Sequence, residues 1–318
     1  MDHLQRSLRN TFAIGLIDRA ADRRRDPAWL AARERDEQSQ FIPIWRSRNL
    51  FLGQDSPRPV LLSPHQARAY ISESMSSTLL GIHEGRAYFA VELLPDDSAP
   101  ARLAELGEFQ DLRQLAALLD RETGALLAYA RAMTYWHAQH RFCGVCGSPT
   151  FSTEGGHARV CSNDHCGAHH FPRTDPAIIV LVRCGERALL GRKSIWREGQ
   201  YSTIAGFVEP GESIEAAVAR EVWEETGVEI AEMDYQSSQP WPFPSSLMLA
   251  FRARAAQQAI RVDQDELEHA RWFTREQIRD SLAAGTLRLP PPVSVSFRLI
   301  EDWFDEGSLG ELRGMTGA

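Results

Sequence analysis

One stretch of 23 residues reads Gly206-Phe-Val-Glu-Pro-Gly-Glu-Ser-Ile-Glu-Ala-Ala-Val-Ala-Arg-Glu-Val-Trp-Glu-Glu-Thr-Gly-Val228. Its middle part, from Ser213 to Glu225, is rich in Ala, Val and Glu, follows a Pro-Gly turn and stops at a glycine, which predicts one helix. Three carboxylates, on Glu221, Glu224 and Glu225, fall in the last turn at i, i+3 and i+4 and share a face. Because the helix dipole is negative at this end, it disfavours them there. Their presence therefore needs a reason other than helix stability.

The same helix face carries Ile214, Ala217 and Val218, which a 3.6-residue period directs toward the protein interior. We therefore expect the acids to point inward too, where a cation must compensate their charge. Oxygen ligands suit Mg²⁺ or Mn²⁺ rather than Zn²⁺. The alternative is a solvated acidic helix end, which is common in Glu-rich helices. The residues alone thus indicate a divalent-metal site and leave its substrate open.

The whole stretch matches G-x5-E-x7-R-E-U-x-E-E-x-G-U, where U is an aliphatic residue, at every specified position, and so resembles the signature of the Nudix hydrolases. The resemblance implies an α/β/α sandwich with a mixed sheet. It also implies metal-assisted attack of water on a diphosphate linked to a nucleoside. Mg²⁺ or Mn²⁺ ligands are then expected at Ala205 (through its carbonyl oxygen), Glu221, Glu224, Glu225 and Glu266.

Three of these carboxylates are candidates for the general base. Glu225 is our prediction, because it lies last on the acidic face. A carboxylate that binds a metal is a poor base, so Glu224 or Glu266 could take the role instead. Arg220 is expected to orient the acids by pairing with one of them, and it completes the predicted catalytic set.

Four cysteines in the middle of the chain have the spacing of a zinc ribbon. Cys143 and Cys146 are separated by 14 residues from the pair Cys161 and Cys166. Four thiolates make a closed tetrahedral shell, which favours a structural Zn²⁺ site over a catalytic one. Two disulfides are the alternative, and His157 or His165 could also replace a cysteine as ligand. Because zinc ribbons often bind nucleic acid, a nucleic-acid-binding module is the rival class of function.

A proline-rich segment follows the helix and reads Ser238-Gln-Pro-Trp-Pro-Phe-Pro-Ser-Ser246. Each proline fixes its own φ and favours extended geometry in the residue before it. We therefore expect a stiff extended strip that presents the rings of Trp241 and Phe243 to a planar heterocycle, where stacking contributes roughly 1–3 kcal/mol per base. The alternative is a Pro-rich loop with buried aromatic side chains.

This segment and the four cysteines together resemble the NADH pyrophosphatase subfamily of the Nudix hydrolases. The resemblance implies that Phe207 stacks on the nicotinamide end of a dinucleotide and that Ser296 lines the substrate. Phe171 stands where many members have tyrosine, so it lacks the phenolic hydrogen bond. Taken together, the implied substrate-binding residues are Phe171, Phe207, Gln239, Pro240, Trp241, Pro242, Phe243, Pro244, Ser245, Ser246 and Ser296.

The bulk composition favours a soluble globular protein, with 43% hydrophobic and 25% charged residues in a chain of 318. No apolar run approaches the roughly 20 residues of a membrane span, and no signal-peptide pattern begins the chain. We therefore expect a cytoplasmic protein with no membrane partner. The formal net charge of -8 argues against a broad nucleic-acid footprint and repels a free pyrophosphate. Bound divalent cations would resolve that second conflict locally.

The fold class predicted from all of these features is α+β. Short alternating runs at 41–45, 59–62 and 87–92 indicate an α+β domain over residues 1–125, which the resemblance makes a catalytically silent Nudix-like domain that supports assembly as a homodimer. A connecting helix and the zinc ribbon should occupy 126–172. The catalytic Nudix domain should occupy 173–318, with a hairpin formed by 178–182 and 188–190, a strand at 247–251 and a last helix at 293–304.

The resemblance implies hydrolysis of the diphosphate of NADH, and of NAD, to nicotinamide mononucleotide and AMP. The same chemistry could instead remove the NAD cap from RNA 5′ ends. The residues do not rank these substrates.

Overall fold

The computed structural model describes residues 2–53, 55–71 and 76–316, with the side chains of Ser76 and Ala99 left aside. Its helices are α1 (His3–Leu8), α2 (Pro27–Arg35), α3 (Pro64–Ile71), α4 (Ser98–Leu103), α5 (Leu112–Leu115), α6 (Arg121–Gln139), α7 (Ile214–Thr226), α8 (Arg275–Ala283), α9 (Val295–Asp305) and α10 (Leu312–Met315). None of the helices in these ranges is long and apolar enough to cross a bilayer.

The strands, numbered in the same way, are β1 (Gln40–Trp45), β2 (Arg48–Leu52), β3 (Arg58–Pro59), β4 (Ser76–His83), β5 (Arg86–Glu92), β6 (Glu108–Gln110), β7 (Thr150–Thr153), β8 (Ala158–Cys161), β9 (His169–His170), β10 (Asp175–Cys184), β11 (Arg187–Arg192), β12 (Ile204–Phe207), β13 (Ile230–Trp241), β14 (Ser246–Ala255) and β15 (His269–Phe273).

The chain forms two compact units. The box unit, which holds the 23-residue stretch, comprises Met1–Ala13, Asp175–Pro240 and Ser246–Ala318. The ribbon unit, which holds the four cysteines, comprises Ile14–Thr174 and Trp241–Ser245. The first residues of the chain therefore belong with the box unit, and the tip of the proline-rich segment belongs with the ribbon unit. No pattern in the sequence indicated that residues 1–13 belong to the box unit or that residues 241–245 belong to the ribbon unit.

The box unit is built on a six-stranded sheet in the order β13-β14-β10-β11-β15, with β12 paired to β10. The sheet is mixed, because β10 runs parallel to β14 and antiparallel to β11 and β12. Alternate residues of β10 point to opposite faces. Ile178, Val180 and Val182 pack with α7 on one face, and Ile179 and Leu181 pack with α9 on the other. This arrangement confirms the predicted α/β/α sandwich.

The ribbon unit contains a second six-stranded sheet, in the order β3-β2-β1-β5-β4 with β6 paired to β2. Strands β1 and β5 confirm the predicted runs at 41–45 and 87–92. The run at 59–62 forms only the short strand β3 and one isolated bridge at Leu62. Helix α6 leads from this sheet to a separate three-stranded sheet, β7-β8-β9, which carries the cysteines.

The proline-rich segment is the predicted extended strip only from Ser238 to Trp241. Strand β13 continues to Trp241, residues 242–245 form a turn, and β14 starts at Ser246. The rings of Trp241 and Phe243 lie 5.2 Å apart in an edge-to-face arrangement. Beyond Trp241 the expectation failed because β13 and β14 are neighbours in one sheet, so the chain has to reverse direction between them.

Candidate functional site

Helix α7 begins and ends where its sequence predicts. The Ser213 hydroxyl accepts a hydrogen bond from the Ala216 N–H at the first turn, and Gly227 closes the last turn with a left-handed φ of 65°. Its apolar face, with Ala217, Val218 and Val222, is fully buried against the sheet. The helix is therefore held rigidly, and its last turn has a defined direction.

Two of the three acids of α7 point inward. Glu221 and Glu225 are buried, and one carboxylate oxygen of each lies within 4.8 Å of the other and of a Glu266 oxygen. Glu224 is different: its side chain is 43% exposed and lies outside this group. The helical period explains the difference, because residue 225 lies about 40° from residue 221 and residue 224 about 60° on the other side. We name Glu221, Glu225 and Glu266 the acid cluster.

Arg220 links Glu221 of the acid cluster to the loop that precedes α7. Its guanidinium donates to Glu221 at 2.9 Å and to Glu224 at 3.0 Å, as the sequence predicted for an orienting arginine. It also donates to Glu212 at 2.6 Å and to the Phe207 carbonyl oxygen at 2.9 Å. Arg220 therefore joins the loop before α7 to the acids in its last turns.

The first glycine of the stretch has a steric purpose that the sequence did not reveal. A Cβ atom added at Gly206 would lie 1.9 Å from the carboxyl carbon of Glu221. Any side chain at this position would push that carboxylate out of the acid cluster. The neighbouring Ala205 pairs with Ile179 in the sheet, which fixes the strand that carries its carbonyl group.

The acid cluster is short of positive charge. Burial raises the pKa of Glu225 to about 7, with the nearby Lys193 opposing the rise and the charges of Glu266 and Glu221 adding to it. Burial also raises the pKa of Glu221. Lys193 lies with its Nζ 3.9 Å from a Glu225 oxygen, at the end of a hairpin where no motif marks it. Lys193 beside Glu225 and Arg220 beside Glu221 bring two positive charges, and Arg220 also pairs with Glu212 and Glu224, so the acids outnumber the cations and the cluster has the charge to attract a divalent cation.

The spacing of the cluster also suits such a cation. Oxygen atoms that bind one Mg²⁺ at 2.0–2.1 Å lie up to about 4.2 Å apart. The three cluster oxygens lie within 4.8 Å of one another, so small side-chain shifts bring them onto one ion. The donor set is all oxygen, which is the set that hard divalent ions prefer.

Two residues expected to touch substrate are instead engaged inside the box unit. The Gln239 side chain is buried, donates to the carbonyls of Thr11 and Val293, and accepts from the Val295 N–H. The Ser296 hydroxyl is buried and lies 2.8 Å from that of Thr203. Because these polar groups are already paired, both residues serve the framework around the start of α9. Direct substrate contact by Gln239 and Ser296 stays a prediction.

The remaining predicted substrate residues lie in both units. Phe207, in the box unit, is 59% exposed, and Phe171, in the ribbon unit, is 60% exposed. The turn residues pack within the ribbon unit, where Arg131 lies over the Phe243 ring and donates to the Pro242 carbonyl at 2.8 Å. The others are Pro240 and Pro244, which are exposed, and Trp241, Ser245 and Ser246, which are half-buried.

The four cysteines of the ribbon form a second cluster. Their sulfur atoms all lie within 4.8 Å of one another, with 3.8 Å between Cys143 and Cys166 and 3.4 Å between Cys146 and Cys161. Disulfide sulfurs would be about 2.05 Å apart, whereas tetrahedral thiolates at 2.3 Å from Zn²⁺ would be about 3.8 Å apart. The four cysteines are therefore free of disulfides in this structure, and their spacing fits zinc.

The histidines near the cysteines do not replace any of them. The His157 ring pairs with the Leu79 carbonyl oxygen at 2.7 Å, and His165 is exposed and outside the sulfur cluster. His170 instead lies beside a ligand, with its Nε2 3.3 Å from the Cys143 sulfur. Such an outer contact orients a ligand without binding the metal.

Family models match most of the chain, from residue 38 to residue 291, in three consecutive pieces. Residues 38–136 match an NADH pyrophosphatase-like rudimentary NUDIX domain, and residues 138–171 match an NADH pyrophosphatase zinc ribbon domain. Residues 172–291 match the NUDIX domain. The pieces follow the predicted order of a silent domain, a ribbon and a catalytic domain.

Curated relatives share most of this length. The NAD-capped RNA hydrolase NUDT12 of Macaca fascicularis is 35% identical over 92% of this chain and 73% of its own. The NAD-capped RNA hydrolase NudC of Stutzerimonas stutzeri is 44% identical over 71% of this chain and 77% of its own. Nudix hydrolase 19 of Arabidopsis thaliana, a chloroplastic protein, is 42% identical over 65% of this chain and 50% of its own.

Proposed function

The chain belongs to the Nudix hydrolases, in the NADH pyrophosphatase subfamily with a zinc ribbon, and from this premise we propose that it hydrolyses the diphosphate of NADH and NAD to nicotinamide mononucleotide and AMP. The observation that carries the proposal is the acid cluster, in which three carboxylates converge at one end of α7 with too little cationic charge nearby. A divalent cation bound by these acids would supply the positive charge that a diphosphate substrate needs.

A second candidate substrate is RNA that carries NAD at its 5′ end. Relatives in two kingdoms of life bear the name NAD-capped RNA hydrolase, and they align with this chain over most of its length. The bond that breaks is the same diphosphate. The products would be nicotinamide mononucleotide and an RNA with a 5′ monophosphate.

Mg²⁺ or Mn²⁺ is the proposed catalytic metal, held by Glu221, Glu225, Glu266 and the Ala205 carbonyl oxygen. A bound divalent ion polarises phosphoryl oxygens and lowers the pKa of a water ligand. Zn²⁺ is proposed at the four cysteines, where the closed shell of sulfur atoms leaves no position for substrate. The two metals thus have separate roles in separate units.

The protein groups around the acid cluster have distinct tasks in this proposal. Arg220 holds Glu221 in place, and Gly206 leaves the space for its carboxylate. Glu225 stays the predicted general base; burial raises its pKa to about 7 in the metal-free protein, and a bound cation would lower that pKa again. Glu224 pairs with Arg220 outside the cluster, which disfavours it as the base. Glu266 remains the alternative.

Exposed aromatic side chains are the proposed contacts for the bases. Phe207 and Phe171 present more than half of their surface to solvent, and each can stack on a planar ring. Trp241 and Phe243 belong to the same proposal. A homodimer in the cytoplasm completes it, and light scattering after gel filtration tests the assembly.

Parallel assays test the function. The zinc-loaded enzyme would be freed of Mg²⁺ and Mn²⁺ and then given NADH, NAD⁺, ADP-ribose or NAD-capped RNA, with and without added metal. We expect reduced nicotinamide mononucleotide and AMP from NADH only when Mg²⁺ or Mn²⁺ is returned. Release of neither product, together with tight binding of plain RNA, would support the nucleic-acid-binding module instead.

A further inference from the structure

The ribbon sheet carries a solvent-facing row of aromatic side chains. Phe151 of β7 pairs with Val160 of β8, and Val160 pairs with His169 of β9. Cross-strand partners project from the same face of a sheet. Phe171, two residues beyond His169, lies on that face too, and the two rings stack with their centroids 6.3 Å apart. The strands therefore align one continuous row across the ribbon.

A third phenylalanine extends the row. Phe142 bridges to Pro149, which is two residues before Phe151 and so projects from the same face. Phe142, Phe151 and Phe171 are 63%, 51% and 60% exposed. We call this surface the aromatic face, and its members are Phe142, Phe151, Val160, His169 and Phe171.

The opposite face of the ribbon accounts for its stability. Thr150, Arg159 and Cys161 are buried there, and the Arg159 guanidinium donates to the Thr150 hydroxyl and carbonyl groups. The His137 ring completes this interior network at 2.9 Å from Arg159. Three exposed phenylalanines on the other face therefore do not serve the core of the ribbon.

The geometry points to single-stranded RNA as the occupant of the aromatic face: we infer that the nucleotides following the NAD cap stack on Phe142, Phe151 and His169. The inference rests on the second substrate of the proposed function. Phe171, at one end of the face, is also a proposed contact of the dinucleotide. Unpaired bases stack on aromatic rings without regard to sequence.

Charge and size support RNA over a second protein chain. No member of the face is acidic, and the exposed side chain of Arg173, two residues beyond Phe171 in the sequence, suits a phosphate. A stable protein interface needs about 800 Å² from each partner. A face of five side chains on strands of four, four and two residues is too small for that.

The test compares two substrates across variants of one residue. Phe151→Ala and Phe151→Leu should lower kcat/KM for a 5′ NAD-capped single-stranded RNA of about ten nucleotides by roughly 5- to 150-fold, since one stacked base contributes about 1–3 kcal/mol. The loss should lie in KM. Turnover of NADH should stay within about twofold, because NADH has no following nucleotides. Phe151→Trp keeps a stacking ring and should retain activity on the RNA.

Val145→Ala is the matched control, because Val145 is an exposed apolar residue of the same ribbon outside the aromatic face. Val145→Ala should leave kcat/KM unchanged for both NADH and the capped RNA. Equal losses on NADH and capped RNA, or no loss with Phe151→Ala, would overturn the inference. So would a change of oligomeric state in a Phe142→Ala, Phe151→Ala double variant, because the face would then join two copies of the chain.

The RNA-stacking inference can be tested even if the proposed hydrolytic function fails. If the wild-type enzyme hydrolyses neither substrate, fluorescence anisotropy with a labelled uncapped single-stranded RNA still reports on the face. Weaker binding by Phe151→Ala than by Val145→Ala would then support the stacking surface. Equal binding by the two variants would overturn it.

Discussion

The two six-stranded sheets of this protein have similar frameworks and different chemistry. Each has a central parallel pair, β10 with β14 in the box unit and β1 with β5 in the ribbon unit, and each has antiparallel neighbours around it. The acid cluster occurs beside only the first sheet among the described residues. The fold therefore does not create the activity. The activity comes from one helix whose last turn carries acids and from the glycine that makes room for them.

The metal clusters sharpen this contrast. The acid cluster is made of oxygens, and one of its members, Glu266, is exposed. The cysteine cluster is closed by four sulfurs in a sheet of only three short strands. We expect loss of the first to remove chemistry and loss of the second to remove structure. The following predictions test that division.

The largest effect should come from Glu225→Gln. The variant keeps the shape of the side chain and removes both a predicted metal ligand and the predicted base, so kcat for NADH should fall by about 10²–10⁴. Because burial disfavours the charged carboxylate, its thermal stability without Mg²⁺ should equal or exceed that of the wild type. Steady-state kinetics and calorimetry measure both. Turnover like that of the wild type would sink the assignment.

Loss of zinc should damage the ribbon unit and spare the acid cluster. Cys161→Ser removes a buried ligand and should reduce bound zinc, measured by mass spectrometry, from about one ion per chain to none. At low temperature, the box unit of this variant should still bind Mn²⁺. Cys184→Ser is the control, since Cys184 lies outside the sulfur cluster. Equal zinc loss in both variants would contradict the assigned ligands.

A methyl group at Gly206 should disable the acid cluster although none of its three carboxylates is substituted. Gly206→Ala places its Cβ 1.9 Å from the Glu221 carboxyl carbon, so Mn²⁺ affinity and kcat should both fall by at least about tenfold. Titration calorimetry with Mn²⁺ reports the first of these. Gly15→Ala is the matched control, because no atom lies within 4 Å of its added Cβ. Unchanged Mn²⁺ affinity in Gly206→Ala would show that Glu221 is not a ligand.

The stability of the metal-free protein should depend on pH through Glu225. Its pKa of about 7 lies above the ordinary 4.5, so the folded state holds a proton that the unfolded state releases. The favourable contribution is full below pH 4.5 and is lost as pH rises through 7, with a total of about 3 kcal/mol. Urea unfolding of the wild type and Glu225→Gln between pH 5 and 8 isolates it. Parallel curves for the two proteins would contradict the raised pKa.

The smallest effect should come from Glu224→Gln. Glu224 pairs with Arg220 outside the cluster, so its replacement should lower kcat by only a few-fold. Arg220 keeps its bonds to Glu212 and Glu221 in this variant. The same NADH assay measures it beside Glu225→Gln. A loss above a hundredfold would move the role of general base to Glu224.

Local patterns predicted much of this architecture correctly. The bounds of α7 followed from Ser213 and Gly227, because a cap depends only on residues within one turn. Four cysteine sulfurs meet as their spacing indicated. The helical period placed Glu221 and Glu225 on one face, but the expectation that Glu224 also points inward was wrong, because its offset of about 60° carries it to the solvent side.

Contacts between distant segments lay beyond those patterns. Gln239 pairs with Thr11 and Val293, which are 228 and 54 residues away in the chain, so its burial could not be deduced from its proline-rich surroundings. The same holds for Lys193 beside Glu225. The turn at 242–245 arose from strand pairing and overrode the local preference of proline for extended geometry.

The amino-acid order was sufficient for the family, the acid-bearing helix and the zinc ligands, because each depends on residues that are close in the chain and on the chemistry of their side chains. Packing alone decided which acids converge, why Gly206 must lack a side chain, and which predicted substrate residues are buried in the framework. Packing also aligned the aromatic face, since Phe142, Phe151 and His169 share it only through strand register. Register and burial are properties of paired segments, and one segment alone does not contain them.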